Sequence, residues 1–374
     1  MTDTLTPPPA LPGRTEIDDT IKLVTDHAQR VFLWNYDRSR GQLVTLYNKA
    51  MASQWNSVTD LDWDTDVDPE ELVRTSPQGG LITGLARAAA AIPNSPISSW
   101  KEKEFIALGI ESFKAQLSQF MHGEQGAMMV AAKIVETVPW IDAKYYAATQ
   151  TMDEARHTEV FAKYLHLKLG EAHSMSPFLE AQIDALISDS RWDIAYLGMQ
   201  IVIESLALAA FGSMLRATEE PLLKKLLRYV MSDEARHVAF GVLSLAEFYQ
   251  DLSDAELKER QDFLLENTLR SRARSVTPEI WERMGVKLED VAPVLLQASQ
   301  NQKVNQFAGF QAGFFAKLVP NVRKLGLLDA NKGYLREKWG EAGLLQYEFS
   351  DDTGSDYETY DEVAKDRAAA AAAN

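Results

Sequence analysis

Two short stretches carry the residues whose types and spacing could do chemistry. Residues 153–157 read Asp-Glu-Ala-Arg-His, and residues 233–237 repeat the same five letters. Thirty positions before each motif's glutamate stands another, Glu124 before Glu154 and Glu204 before Glu234, both in strongly apolar surroundings. On a helix, Glu and His at i and i+3 project from one face, so each Glu-x-x-His can offer a carboxylate and an imidazole to one metal ion. A lone carboxylate in an apolar helix is costly or stays protonated, and several converging carboxylates repel one another unless cations lie between them. Four glutamates and two histidines on four helices therefore read as one dinuclear site. Glu124, Glu154 and His157 are expected on one metal, and Glu204, Glu234 and His237 on the other, with one or two glutamates bridging.

Oxygen and imidazole donors without thiolate suit iron or manganese, whereas zinc usually takes four ligands. Asp153 and Asp233 each precede a histidine by four positions and share its helical face. They could ligate. They could instead accept the N–H of a ligating histidine, which fixes its tautomer and raises its basicity, with Arg156 and Arg236 holding the aspartates. Residues about a turn from the ligands, Met121, Met128, Phe161, Gln200, Ile201 and Leu208, are expected to line a pocket, with ordinary core packing as the alternative for each. Gly123 and Gly126 flank Glu124 inside a helix, where each costs about 1 kcal/mol relative to Ala. Space beside the metals or a close helix contact would compensate.

The 374 residues suffice for a large core. No cysteine is present, which excludes disulfides, thiolate metal sites and cysteine nucleophiles. With 38 basic and 54 acidic residues the formal charge is −16, which argues against nucleic acid or an anionic membrane as partner. The opening MTDTLTPPPALPG has no signal-peptide pattern, and a cytoplasmic location is the expectation. No dinucleotide or flavin fingerprint is visible, so electrons are expected from a separate reductase or ferredoxin.

The elements that must position these residues are helical. Residues 1–13 are Pro-rich and expected to be disordered, and residues 14–347 form a single helical domain whose bundle covers about 101–250. Helices are expected over about 16–34, 41–56, 101–137, from Pro139 to near Gly170, and over 178–188, 191–217 and from Pro221. Others follow over 254–274, 278–284, 288–317 and 331–344. Residues 60–71 are expected as an acidic loop. Residues 348–374, acidic and ending in an alanine run, are expected to be disordered. Residues 194–215 are long and apolar enough to span a membrane, but Glu204 at the centre favours a helix buried in a bundle. Homodimerisation through the broad apolar helices is expected.

The paired pattern resembles the oxygen-activating branch of the ferritin-like superfamily, which includes monooxygenase hydroxylases, acyl carrier protein desaturases and the ribonucleotide reductase small subunit. The resemblance covers about residues 100–250. It implies an all-α, ferritin-like four-helix bundle with flanking helices, two iron ions (or manganese with iron), and O2-dependent oxidation of a largely apolar organic substrate by hydroxylation, desaturation or N-oxidation. It also places Asp153 near His237 and Asp233 near His157, across the bundle. The chain departs from several relatives. Phe161 stands where the radical-forming reductase subunit usually has tyrosine, and Ala127 and Met199 stand where ligand-binding oxidases cross-link Val to Tyr. Val230 replaces the third histidine of the arylamine N-oxygenases, and Leu208 the threonine of the monooxygenase hydroxylases. Two other readings remain: a ferroxidase, which the extra helices disfavour, and a radical-generating subunit docking through its acidic tail.

Overall fold

The computed structural model describes residues 24–75, 77–272, 278–302, 308–354 and 357–373. Among them there is no strand, and the fold is all-α. Three helices precede the bundle: α1 (Gly41–Ala52), α2 (Pro69–Thr75) and α3 (Pro77–Ala90). The bundle consists of α4 (Glu102–Thr137), α5 (Ile141–Tyr164), α7 (Trp192–Ala217) and α8 (Pro221–Phe248), with α6 (Pro177–Ser188) between the second and third in the chain and packed on α4. Then come α9 (Asp254–Arg272), α10 (Pro278–Arg283), α11 (Leu288–Gln302), α12 (Ala308–Lys324), α13 (Ala330–Glu341) and α14 (Glu362–Ala373).

Local chemistry sets the ends of the bundle helices. The α5 helix continues as a π turn over Leu165–Leu169 and stops at Gly170, whose φ of 91° is the left-handed geometry glycine adopts freely. Ser176 caps α6, its Oγ accepting from Leu179 N, and Glu220 caps α8, its carboxylate accepting from Leu222 N and Leu223 N with Pro221 in the first turn. Pro139 lies before Trp140, the residue that flanks α5, so it precedes the helix instead of occupying its first turn.

The α7 helix passes the length and hydropathy test for a membrane span, yet 83% of that window is buried inside the protein. It fills the middle of the bundle. Its segment Leu197–Ile203 is π-helical and delivers directly into Glu204. Gly241 of α8 faces that segment, where an added Cβ would lie 3.1 Å from Ile201 Cδ1 and would press on Gln200. The absence of a side chain lets the two helices close on each other. Of the two glycines beside Glu124, Gly126 serves close approach: a Cβ there would lie 2.8 and 3.0 Å from Ile183 Cγ1 and Cγ2 of α6. Gly123 has open space around its Cβ position.

Three expectations are corrected. Residues 24–34 are not helical; residues 16–23 of the expected helix lie outside the described residues, as does the Pro-rich start. Asp26 Oδ1 accepts from Ala28 N and pairs with Lys133 at 2.9 Å, while Val31 N donates to Glu136 O at 2.8 Å. Side chains and the end of α4 thus take backbone groups that a helix would have used. The expected helix over 288–317 is two, α11 and α12, with 303–307 outside the described residues. The tail is ordered: Arg228 of α8 binds Glu362 (2.7 Å) and Asp366 (2.9 Å), Tyr229 Oη donates to Asp366, and Ser53 Oγ donates to Asp361 at 2.6 Å. Its acidic residues meet basic and hydroxyl partners on α8 and at the end of α1.

Gly126→Val should crowd Ile183 and destabilise the fold by about 1–3 kcal/mol in urea unfolding, and Ile183→Ala added to it should recover part of the loss. An unchanged midpoint in the single variant would show that α4 and α6 do not pack this closely.

Candidate metal centre

Each bundle helix sends its chemistry-bearing side chains into one buried space. Glu124 comes from α4, Glu154 and His157 from α5, Glu204 from α7, and Glu234 and His237 from α8. None is more than 5% exposed. They form two groups that share members: Glu124, Glu154, His157 and Glu234 in one, and Glu154, Glu204, Glu234 and His237 in the other, the donor atoms of each lying within 4.8 Å of one another. Glu154 and Glu234 are therefore placed to bridge, while Glu124 and Glu204 each serve one end. The expected division into three ligands per ion is refined in this way: each motif's own glutamate belongs to both groups.

Both histidines turn Nδ1 inward and Nε2 outward. His157 Nδ1 is 3.3 Å from Glu124, 3.4 Å from Glu154 and 3.1 Å from Glu234, and His237 Nδ1 is 3.2 Å from Glu154 and 3.0 Å from Glu234. On the far side of the rings, His157 Nε2 meets Asp233 Oδ2 at 3.0 Å and His237 Nε2 meets Asp153 Oδ2 at 3.4 Å. Each aspartate thus serves the histidine of the other motif, the crossed arrangement the resemblance implies, and neither lies in the inward groups. Both arginines donate to the aspartates. Arg156 donates to Asp153 (2.6 Å) and Asp233 (2.9 Å) at once, and buried Arg236 donates to Asp233.

Two residues that hold this outer layer carry no spacing signal. Gln54 Nε2 donates to Asp153 Oδ1 at 2.9 Å while its Oε1 accepts from Arg156, and Trp55 Nε1 donates to Asp233 Oδ2 at 2.8 Å. Both follow α1, about a hundred residues or more from their partners, and the Arg156 guanidinium lies over the Trp55 ring at 4.5 Å. Gln150 was also missed. It stands one turn before Glu154, a position helical spacing could have flagged, and donates to Glu154 and Glu204.

The six pocket candidates do not form one wall. Phe161 stacks with Phe211 at 5.6 Å, in a cluster against which half-buried Met121 packs, whereas Ile201 belongs to the cluster around Tyr196 and Phe240. Leu208 is buried, Met128 is half-buried, and Gln200 is buried with its amide on Gln150.

The electrostatics are those of a site that holds protons until cations replace them. Burial pushes the Glu124 and Glu204 carboxyls well above the usual carboxylate range, with the Glu234 and Glu154 charges adding to it. Burial acts the same way on Glu154, but the His237 and His157 charges overcome it and hold Glu154 below that range. Asp233 is likewise held low against burial, by Arg236, His157 and Arg156. Burial opposes charging of the histidines, yet the surrounding carboxylates hold both well above the ordinary imidazole value of 6.5. Burial and the Glu154 charge push Glu234 up, but the His237 charge outweighs them and holds it below the range too, so raised carboxyls and raised imidazoles stand beside lowered carboxylates. Glu154 Oε2 and Glu234 Oε1 are buried and accept no hydrogen bond, which fits a donor set built for cations.

Two helices that give a Glu each and two that give Glu-x-x-His are the donor arrangement known from dinuclear carboxylate bundles. No family model and no curated protein matches the chain. Among solved structures, a variant of an R2-like ligand-binding oxidase with anaerobically reconstituted Mn/Fe cofactor is 14% identical, with a TM-score of 0.46 over 75% of this chain and 92% of that one. An R2-like ligand-binding oxidase with aerobically reconstituted metal cofactor after photoconversion is 14% identical, with a TM-score of 0.41 over 83% and 93%. Likeness at this level assigns neither metal nor substrate.

The raised groups stabilise the metal-free fold only while protonated. Their contribution is complete below the unfolded values and is lost as pH rises through the raised folded ones. The lowered groups Glu154 and Asp233 act oppositely, losing their contribution in acid. The metal-free protein should therefore lose melting temperature as pH rises from about 6.5, and saturating Mn(II) should flatten that slope because it takes the place of the protons. A metal-free melting temperature that climbs with pH through this range would contradict the upward shifts of these groups.

Proposed function

We propose that this chain is an O2-dependent oxidoreductase with a dinuclear iron centre, or one of manganese and iron, that oxidises a largely apolar organic substrate. The observation that carries this reading is the pair of fully buried groups sharing Glu154 and Glu234. Two divalent ions held there would supply O2 reduction, chemistry that belongs to the metals and not to side chains. The chain's own part is to place the donors. His157 and His237 offer Nδ1 while Asp233 and Asp153 hold the Nε2 protons, so both tautomers are fixed. Glu154 and Glu234 would serve both positions, and Glu124 and Glu204 would each serve one end. Packed helices exclude water, which strengthens every charge interaction inside.

The chain carries no nucleotide or flavin motif, so a separate reductase or ferredoxin is proposed as electron donor. A cytoplasmic homodimer that binds neither nucleic acid nor membrane is part of the same reading. The net charge of −16 favours its indifference to nucleic acid. Two features speak against a subunit that makes a radical for a partner: Phe161 lies where the phenol would be, and the acidic tail is engaged with Arg228 and Ser53 of its own chain.

Protein purified without added metal should carry two ions per chain, iron or iron with manganese, and Glu204→Ala should lose at least one. After anaerobic loading with Fe(II), an O2 pulse should consume O2 in proportion to bound iron, and apolar candidate substrates should then be screened for product. Failure to bind either metal on reconstitution would end the oxidoreductase reading.

A further inference from the structure

Beside the two groups lies a pair of buried amides with no part in ligation. Gln150 projects from α5 and Gln200 from the π-helical part of α7, and neither is exposed. Gln200 Nε2 donates to Gln150 Oε1 at 2.9 Å. Gln150 Nε2 in turn donates to Glu154 Oε1 at 3.0 Å and to Glu204 Oε1 at 3.1 Å. A primary amide has two N–H donors, so Gln150 has both engaged on carboxylates. With Gln150 Oε1 accepting from Gln200, the NH2 end of Gln150 points at the glutamates. A flipped Gln150 would set its oxygen against the Glu154 carboxylate and its NH2 against another NH2.

The relay is one-sided. Glu204 belongs to the second group alone, and Gln150 meets the shared Glu154 at Oε1, the oxygen 3.2 Å from His237 Nδ1, whereas Oε2 is the one 3.4 Å from His157 Nδ1. The first group's own end carboxylate, Glu124, is instead approached by His157 Nδ1 at 3.3 Å. His237 Nδ1 lies farther from Glu204, at 3.7 Å. The α7 helix is also least regular here, since the π segment ends where Glu204 begins.

We propose that the Gln200–Gln150 relay is the positioning device for Glu204 and makes the two metal positions unequal. The position formed by Glu154, Glu204, Glu234 and His237 draws on both donations of Gln150, and the one formed by Glu124, Glu154, His157 and Glu234 has only the far oxygen of the shared Glu154 in common with it. This rests on the metal-binding reading above and adds to it a residue pair and a division of labour. Partners that orient a metal ligand change affinity by about 10–100-fold when removed, and here that change falls on one ion only.

The test is calorimetric titration of metal-free protein with Mn(II), with bound and free Mn(II) followed by electron paramagnetic resonance. The wild type takes up two ions. Gln150→Leu should weaken one of the two by about 10–100-fold and leave the other within about twofold. Gln200→Leu, which touches no glutamate, should weaken the same ion by a smaller factor, because Gln150 is then free to turn. A merely structural role would lower the melting temperature of the metal-free protein without separating the two binding steps. Should Gln150→Leu fail to fold, Gln200→Leu decides alone. Two steps that weaken equally, or not at all, overturn the proposal. A wild type that binds no Mn(II) or Fe(II) overturns the metal-binding reading itself, a distinct outcome.

Discussion

Everything in this protein is arranged around keeping charge out of water. Four glutamates, two aspartates, two histidines and two arginines occupy the interior of one bundle, and none is more than 7% exposed. Such a set is tolerable only if every charge faces an opposite one, because an isolated ion in a medium of low dielectric pulls protons on or off until it is neutral. The inward layer resolves this with protons in the metal-free state and would do so with cations when loaded. The outward layer does so permanently, through Arg156 and Arg236. Arg156 is the keystone of that layer: one guanidinium ties the aspartates of both repeats together. Each half of the site is thereby held by the other.

The helices adapt to that demand. Long carboxylates from four directions must converge, so backbones approach where no side chain intervenes, at Gly126 against α6 and Gly241 against α7. The π segment before Glu204 is a second adaptation, since its extra residue rotates the side chains that follow. In both places the ideal helix yields to the geometry of the site.

Much of this was legible in the sequence, and the reason is periodicity. The repeated Asp-Glu-Ala-Arg-His motif and the two upstream glutamates declared six inward groups, because helix geometry converts spacing into direction. The bundle helices followed from apolar patterning and from prolines and glycines at their ends. Tertiary contacts were not legible. Gln54 and Trp55 touch the aspartates from a segment with no pattern of its own, and Val24–Trp34 has helical spacing but is held out of a helix by Lys133 and the end of α4. The tail looked like a solvated acidic end because its partners, Arg228 and Ser53, lie far away in sequence. The crossed pairing of Asp153 with His237 came from resemblance; spacing alone linked each aspartate to its own motif.

The docking of the tail bears on how the outer layer of the centre is held. Asp361 accepts from Ser53, and Arg367 donates to Ala52 O at 2.9 Å, so the tail clamps the turn that carries Gln54 and Trp55. The two residues over the aspartates are thereby gripped from two sides, by the helix that precedes them and by a segment more than three hundred residues further along the chain.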